Sequence, residues 1–469
     1  MAKTTHIAVI SSPGFSHLVP IVEFTKRLIS HHPNFHVSCI IPSLGSPPES
    51  SKSYLETLPS YINPIFLPPI NREDVPKKAY PGVLIQLTVN LSLPSIHEAL
   101  KSLTSKAPLI ALIADSFAIQ ALDFAKEFNS MSYLYHPCGA TVLSLMLHMP
   151  KLDEQVSIEY SDLKEPIKLP GCVPLMGSDL PAPTQDRSSE GYKQFLERCK
   201  RVSLAADGIL INTFLEMESG PIRALQEEWN GKIRVYPVGP ITQIGSIIEA
   251  NDNECLKWLE NQPPSSVVYV SFGSGGTLTQ HQIDELALGL ELSGVRFLWV
   301  LRAPSDSVGA AYLEAGNKDP LQFLPSGFLE RTKQQGLVVP SWAPQVQVLA
   351  HSSVGGFLSH CGWNSVLESM QEGVPIIAWP LFAEQRMNAV MLADGLRVAL
   401  RVKFNEDGIV EKEEIAKVVK SLMEGEEGDA MRKRMRDLKD SAADAIKDGG
   451  SSTQTLIKVA SQWENMGGI

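Results

Sequence analysis

The chain has 469 residues, 43% of them hydrophobic, a length that suggests two large domains or three smaller ones. It carries 41 basic and 52 acidic residues, a formal net charge of −11, and no long run of Lys and Arg breaks that balance. Nucleic acid is therefore not an expected partner, and an anionic nucleotide would have to be met by local groups such as helix N-termini. The six cysteines, Cys39, Cys138, Cys172, Cys199, Cys255 and Cys361, form no Cys-x-x-Cys pair and have no His cluster beside them. Neither a disulfide framework nor a zinc site is expected, and a reducing compartment fits. The apolar stretch Ile7 to Ile10 is too short for a signal-peptide core, and Pro108 to Ala125 is interrupted by Asp115, Gln120 and Asp123. A cytoplasmic protein without a membrane anchor is the expectation.

In chain order, His6–Ile10 reads as a strand and Ser11–Ser16, with Pro13 and Gly14, as a turn that carries into His17. A helix follows after Pro20, with Ile21, Phe24 and Leu28 on one face. Phe35–Ile41 reads as a second strand, Leu109–Ala114 as a third ending at Asp115, and Ala118–Phe128 as helix. Strands alternating with helices predict a parallel, doubly wound sheet. RVYPVGP runs into a turn, and Pro240–Asn253 reads as a domain boundary. The pattern then restarts with a helix near Glu254–Asn261, a strand at Ser266–Phe272, a Gly-rich turn at Gly273–Gly276 and a helix from Thr279. Pro304–Asp319 reads as a surface loop and Asp429–Lys447 as a charged helix. Gly449 and Gly450 stop that helix, and Ser451 or Ser452 caps a last one. Two doubly wound α/β halves place ligands at the C-terminal ends of their strands, in a cleft that the halves face.

Four segments fall at such strand ends. In the segment from Trp342 to Gln385, Phe357–Ser359 can end a strand, Gly362 permits a tight turn, and a helix can start at Trp363. The N–H groups of Asn364 and Ser365 would then face an anion, helped by the helix dipole. In SPGFSHLVP, His17 can take a proton near neutral pH, although a lone turn histidine is more often only a satisfied polar group. Asp115, at the end of LIALIAD, reads equally as a helix N-cap or as the partner of a histidine. SFGSGGTL is a Gly-rich strand, turn and helix start that falls short of a dinucleotide fingerprint, because Leu278 stands where a third glycine is needed. No Asp-x-Asp occurs in the chain.

The Trp342–Gln385 segment resembles the signature box of the plant secondary-product UDP-glycosyltransferases, family 1 enzymes of the two-domain GT-B fold. Trp342, Gln345, His360, Gly362, Trp363, Asn364, Ser365, Glu368 and Gln385 stand where that signature has them. The resemblance implies an enzyme with an acceptor-binding domain over 1–245 and a UDP-sugar-binding domain over 246–448. A helix over 449–469 would pack back on the first domain. It implies that Trp342, with Ala343 beside it, stacks on uracil and that Gln345 and Glu368 hold the ribose. His360, Gly362, Asn364, Ser365 and Ser274 would meet the diphosphate, and Trp363, Glu384 and Gln385 the sugar. His17 becomes the general base and Asp115 its partner. The absence of Asp-x-Asp agrees with a reaction that needs no metal or cofactor, UDP-glucose being a co-substrate. HMPKLDE, LPGCVPL and ECLKWLENQP look like the phenol- and hydroquinone-glucosylating (arbutin-synthase-like) branch, and flavonoid-glucosylating relatives share SHLVP and DSFA. This implies a small phenolic acceptor, a phenol, phenylpropanoid, coumarin or flavonoid, lined by Phe15, Ile85, Phe117 and Met146. An inverting O-glucosyl transfer by a monomer, giving a β-glucoside, is expected. The rivals are another UDP-sugar (xylose, galactose or rhamnose), a sugar-nucleotide binder without turnover, and a nicotinamide dehydrogenase.

Three departures stand out. The box ends Glu384-Gln385 rather than Asp-Gln, and Met146 replaces an aromatic. Cys138 and Gly139 occupy the place of two threonines, one of which would touch the sugar 6-OH. Loss of that hydroxyl predicts tolerance of UDP-xylose.

Overall fold

The computed structural model describes residues 5–76, 79–202, 207–228, 233–243, 253–306 and 319–467. The chain divides into two compact units, one of Met1–Gln243 with Asp444–Ile469 and the other of Ile244–Ala443. Each unit is built on one parallel sheet.

In the first unit the strands are β1 (Thr5–Ile10), β2 (Phe35–Ile41), β3 (Ile62–Phe66), β4 (Leu109–Asp115), β5 (Met131–His136), β6 (Gly208–Ile211) and β7 (Val235–Pro237). Their order is β3-β2-β1-β4-β5-β6-β7. In the second unit β8 (Val267–Ser271), β9 (Arg296–Leu301), β10 (Gly336–Pro340), β11 (Val354–Ser359), β12 (Ile376–Ala378) and β13 (Ala399–Arg401) take the order β10-β9-β8-β11-β12-β13. Both orders wind outward from a central pair, and the reversal leaves a crevice at the carboxyl ends of β1 and β4, and of β8 and β11.

Burial on both sheet faces explains why the central strands β1, β4, β8 and β9 are mainly apolar. Side chains alternate across a strand, so β8 sends Val267 and Tyr269 into one core and Val268 and Val270 into another. β9 splits likewise, with Leu298 and Val300 on one side and Phe297, Trp299 and Leu301 on the other. In the first unit the final helix, Ser451–Gly467, joins the core cluster through Leu456, Val459, Ala460 and Trp463. The Trp463 ring lies 5.1 Å from Tyr133 and 6.2 Å from Phe35. Arg27 donates to Thr453 Oγ1 at 2.9 Å, and His32 meets Glu464 at 3.2 Å.

Several local expectations are corrected. The first helix spans Phe15–His31 and holds Pro20 inside it. It starts early because Gly14, at φ 107°, reverses the chain directly after β1, a conformation L-residues rarely adopt. His17 thus sits in the first helical turn rather than in the preceding loop. The segment after β4 is a 3-10 helix over Ser116–Ala125, not an α-helix to Phe128. Ser451 and Ser452 lie inside the last helix, and their hydroxyls bond Glu216 and the Gly239 carbonyl instead of capping. The expected loop at Pro304–Asp319 falls mostly, and the boundary at Pro240–Asn253 largely, outside the described residues.

Candidate active site

At the switch point of the first sheet, the helix after β1 and the end of β4 bring His17 and Asp115 together. His17 Nδ1 lies 3.0 Å from Asp115 Oδ2; the His17 side chain is 16% exposed and that of Asp115 fully buried. Asp115 Oδ1 accepts from Ser12 Oγ and, at 3.1 Å, from the Phe117 N–H. Asp115 is therefore both N-cap of the 3-10 helix and partner of the histidine, the two roles the sequence left open. Burial alone would raise its pKa. The charge on His17, with hydrogen bonds from His17, Ser12 and Phe117, outweighs that and holds the carboxyl below its usual value. A carboxylate fixed this way keeps the proton on Nδ1 and turns the basic lone pair to Nε2.

Phe117 stands edge-on to His17, with ring centroids 5.2 Å apart. Phe15 and Phe117 are partly exposed, whereas Ile85 and Met146 are almost fully buried. Phe15 packs against Tyr54, at 5.8 Å, rather than on the histidine. Gly139 is the N-cap of the helix Ala140–Gln155, and its cap comes from a distant carboxylate. Glu218 accepts from the N–H groups of Ala140 and Thr141 at 2.8 and 2.9 Å. The Thr141 hydroxyl is also spent on Glu218, at 2.8 Å.

The second unit gathers its candidates at the ends of β8, β10, β11 and β12. Trp342 follows β10 and is 61% exposed, an unusual state for a tryptophan. Gln345 Nε2 donates to Ser365 Oγ at 2.9 Å and to Glu368 Oε2 at 2.7 Å. Desolvation pushes Glu368 up to about 7, against the pull of the Gln345 hydrogen bond. The helix Trp363–Glu372 begins after Gly362, an N-cap residue that has no side chain to cap it. Trp363 is 4% exposed, so what this position offers at the helix start is its backbone. Ser274 is exposed in the turn after β8, and Ala343 is buried beside Trp342. Gln385 Oε1 accepts from the N–H groups of Leu381 and Phe382, both at 2.9 Å, and Glu384 accepts from Asn388 Nδ2 at 3.2 Å.

His360 directly follows β11 and is wedged between two glycines. A Cβ on Gly273 or on Gly362 would lie 2.5 Å from its ring. Burial, then the nearby Arg302 charge, pushes His360 down to about 4, so the ring is neutral at physiological pH. Three of the six described non-glycine residues at positive φ, Ser341, Cys361 and Ala383, immediately precede Trp342, Gly362 and Glu384. Strained backbone of this kind concentrates where side chains must be aimed.

Sequence reasoning missed Ser12 and Arg302. Arg302 Nε donates to the Gly273 carbonyl at 3.2 Å and so holds the Gly-rich turn. Its signal was legible: a lone cation directly following the buried strand RFLWVL. Among the described residues no group of three or more His, Cys, Asp or Glu could hold a metal ion, and no helix is long and apolar enough to cross a membrane.

Residues 221–435 match the family model described as UDP-glucoronosyl and UDP-glucosyl transferase. Hydroquinone glucosyltransferase of Rauvolfia serpentina is 51% identical over 467 residues, 99% of each chain. UDP-glycosyltransferase 72B1 of Arabidopsis thaliana is 50% identical over 467 residues, covering 99% of this chain and 97% of that one. Among solved structures, Phytolacca americana UGT2 complexed with UDP-2fluoro-glucose and pterostilbene has a TM-score of 0.90 at 47% identity, over 98% of this chain and 100% of that one. A UDP-glucosyltransferase from Polygonum tinctorium, capable of glucosylating indoxyl, has a TM-score of 0.91 at 46% identity, over 98% and 99% of the two chains. The chain belongs to the plant UDP-glycosyltransferases and has their GT-B fold of two Rossmann-like α/β domains.

Proposed function

We propose that this enzyme transfers glucose from UDP-glucose to the hydroxyl of a small phenolic acceptor, with inversion, to give a β-glucoside in the cytoplasm. The observation that carries the reading is the His17–Asp115 pair, in which a fully buried carboxylate orients a partly exposed imidazole at 3.0 Å. Pure binding needs no such pair. A phenol with a pKa of about 10 is protonated at pH 7 and attacks only as it loses its proton. In the proposed reaction His17 Nε2 takes that proton, the oxygen displaces UDP from the anomeric carbon, and Asp115 stabilises the imidazolium.

The donor side fits the same reading. Exposed Trp342 offers a face for uracil, and Gln345 with Glu368 forms a ready acceptor for ribose hydroxyls. The start of helix Trp363–Glu372, with Ser274 and neutral His360, meets the diphosphate. Glu384 and the Gln385 amide face the sugar. The curated relative that acts on hydroquinone and the structure holding pterostilbene support a phenolic acceptor.

One observation favours a broader donor range. Cys138 and Gly139 offer no hydroxyl for a sugar 6-OH, and the neighbouring Thr141 hydroxyl is committed to Glu218. UDP-xylose, which lacks that group, should be used at a rate within about tenfold of UDP-glucose, since one hydrogen bond is at stake.

The test is UDP release with UDP-glucose or UDP-xylose and a panel of phenols. Acceptor-dependent release should fall on the order of 10²–10⁴-fold in His17→Ala while UDP-glucose binding is unchanged. Equal rates in wild type and variant would remove His17 from the mechanism.

A further inference from the structure

We propose that Arg198 is a cation of the acceptor site and that it selects phenolic acceptors bearing a carboxylate, the acid group pairing with Arg198 while the phenol faces His17. The inference rests on the reading of this site as the place where a phenol is deprotonated.

Arg198 lies on the helix Glu190–Val202. Its guanidinium sits 4.2 Å from the centre of the Phe117 ring and 5.6 Å from that of Phe195. Phe117 is the same ring that meets His17 edge-on at 5.2 Å. One phenyl group thus separates the proposed base from a fixed positive charge. Arg198 is partly exposed, and among the described residues its one hydrogen bond is to Gln86 Oε1, at 3.2 Å. No carboxylate of the described residues lies within ion-pairing distance of it. A guanidinium has five N–H donors in a planar fork, so most of its capacity is left for a ligand, and a carboxylate is the group that fork fits best.

The cation is also held in place. Gln86 is buried, and its Nε2 donates to the Phe117 carbonyl at 3.0 Å, to Asn90 at 3.1 Å and to Gln120 at 3.2 Å. That fixes Gln86 Oε1 toward Arg198 and ties the cation to the backbone of the residue that touches His17. The Asp115 charge reaches Arg198 at longer range, but forms no ion pair with it, because both of its oxygens are already engaged, by His17 on one side and by Ser12 and Phe117 on the other. A partly buried arginine with no carboxylate in ion-pair contact is costly unless an anion offsets it.

Steady-state UDP release tests this with 4-hydroxybenzoate and 4-hydroxycinnamate, each against its methyl ester, in wild type, Arg198→Gln and Arg198→Lys. Each variant's thermal melting is recorded. The acids should lose about tenfold to a hundredfold in kcat/KM in Arg198→Gln, mainly through KM, while the esters stay within about twofold. Arg198→Lys should recover part of that loss, since a point charge remains without the fork. Equal loss for acids and esters would overturn the proposal and make Arg198 a support for Phe117. A base-labile glucose ester as product would also overturn it, because the carboxylate would then lie at His17. If wild type turns over the esters and not the acids, the transferase reading stands and the Arg198 proposal falls. If it turns over neither, both fall.

Discussion

At Glu368 burial and hydrogen bonding oppose each other, and burial wins, lifting the carboxyl to about 7. Ribose hydroxyls donate to a carboxylate better than to a carboxylic acid, so donor binding should expel a proton from this group. The sign follows: UDP-glucose should bind more tightly as pH rises through about 7 and level off above it. His360 adds no slope there, because it is held near 4 and stays neutral. A diphosphate diester also keeps its charge over this range. Calorimetric titration between pH 6 and 8 should show affinity rising several-fold, up to about tenfold for each pH unit below the pKa. Glu368→Gln should flatten the profile and weaken binding. A flat wild-type profile would refute the ribose role. At this scale the sequence was legible where one word carries the chemistry, as in SHLVP and WNSVLE, whereas Ser12 was not. Its hydroxyl reaches Asp115 across 103 positions, and only the pairing of β1 with β4 brings them together.

Among the elements, the strands were readable because parallel strands buried on both faces are mainly apolar, as the middles of β1, β4 and β8 are. Helix starts were harder. The spacing put the helix after Pro20, but the chain reversal that Gly14 allows begins it at Phe15, with Pro20 inside it. The turn after β8 shows what such backbone freedom is for. Gly273 has φ 72° and lets the chain pass directly over His360, where a Cβ would strike Cε1 and Nε2 at 2.5 Å. Gly294 is equally left-handed, at φ 67°, yet has open space around its missing Cβ. Comparing alanine at the two sites separates strain from collision. Both should cost about 1–2 kcal/mol in denaturant unfolding. Gly273→Ala alone should also weaken UDP-glucose binding by at least about tenfold, because His360 must move. Equal donor affinity in the two variants would mean that the glycine serves only the turn.

Across the whole molecule, two sheets of the same winding place their candidate sites at equivalent switch points, His17 and Asp115 beside β1 and β4, His360 and the Gly-rich turn beside β11 and β8. The duplication was visible as a restart of the strand and helix pattern after residue 253. Which core the last residues join was not visible in their spacing, since an amphipathic helix shows which face it buries and not against what. Here Trp463 goes into the first unit's core, fully buried between Tyr133 and Phe35, although more than 300 residues separate it from either. Trp463→Ala empties a large volume between rings that belong to β2 and β5, and such truncations cost about 3–5 kcal/mol. The loss should lower the urea midpoint of unfolding and, because β1, β4 and the His17 helix share that core, should reduce acceptor-dependent turnover at urea concentrations where UDP-glucose binding still persists. An unchanged midpoint would show that the helix adds no stability to the unit that carries the base. A midpoint that drops equally for turnover and donor binding would show instead that the two units unfold as one.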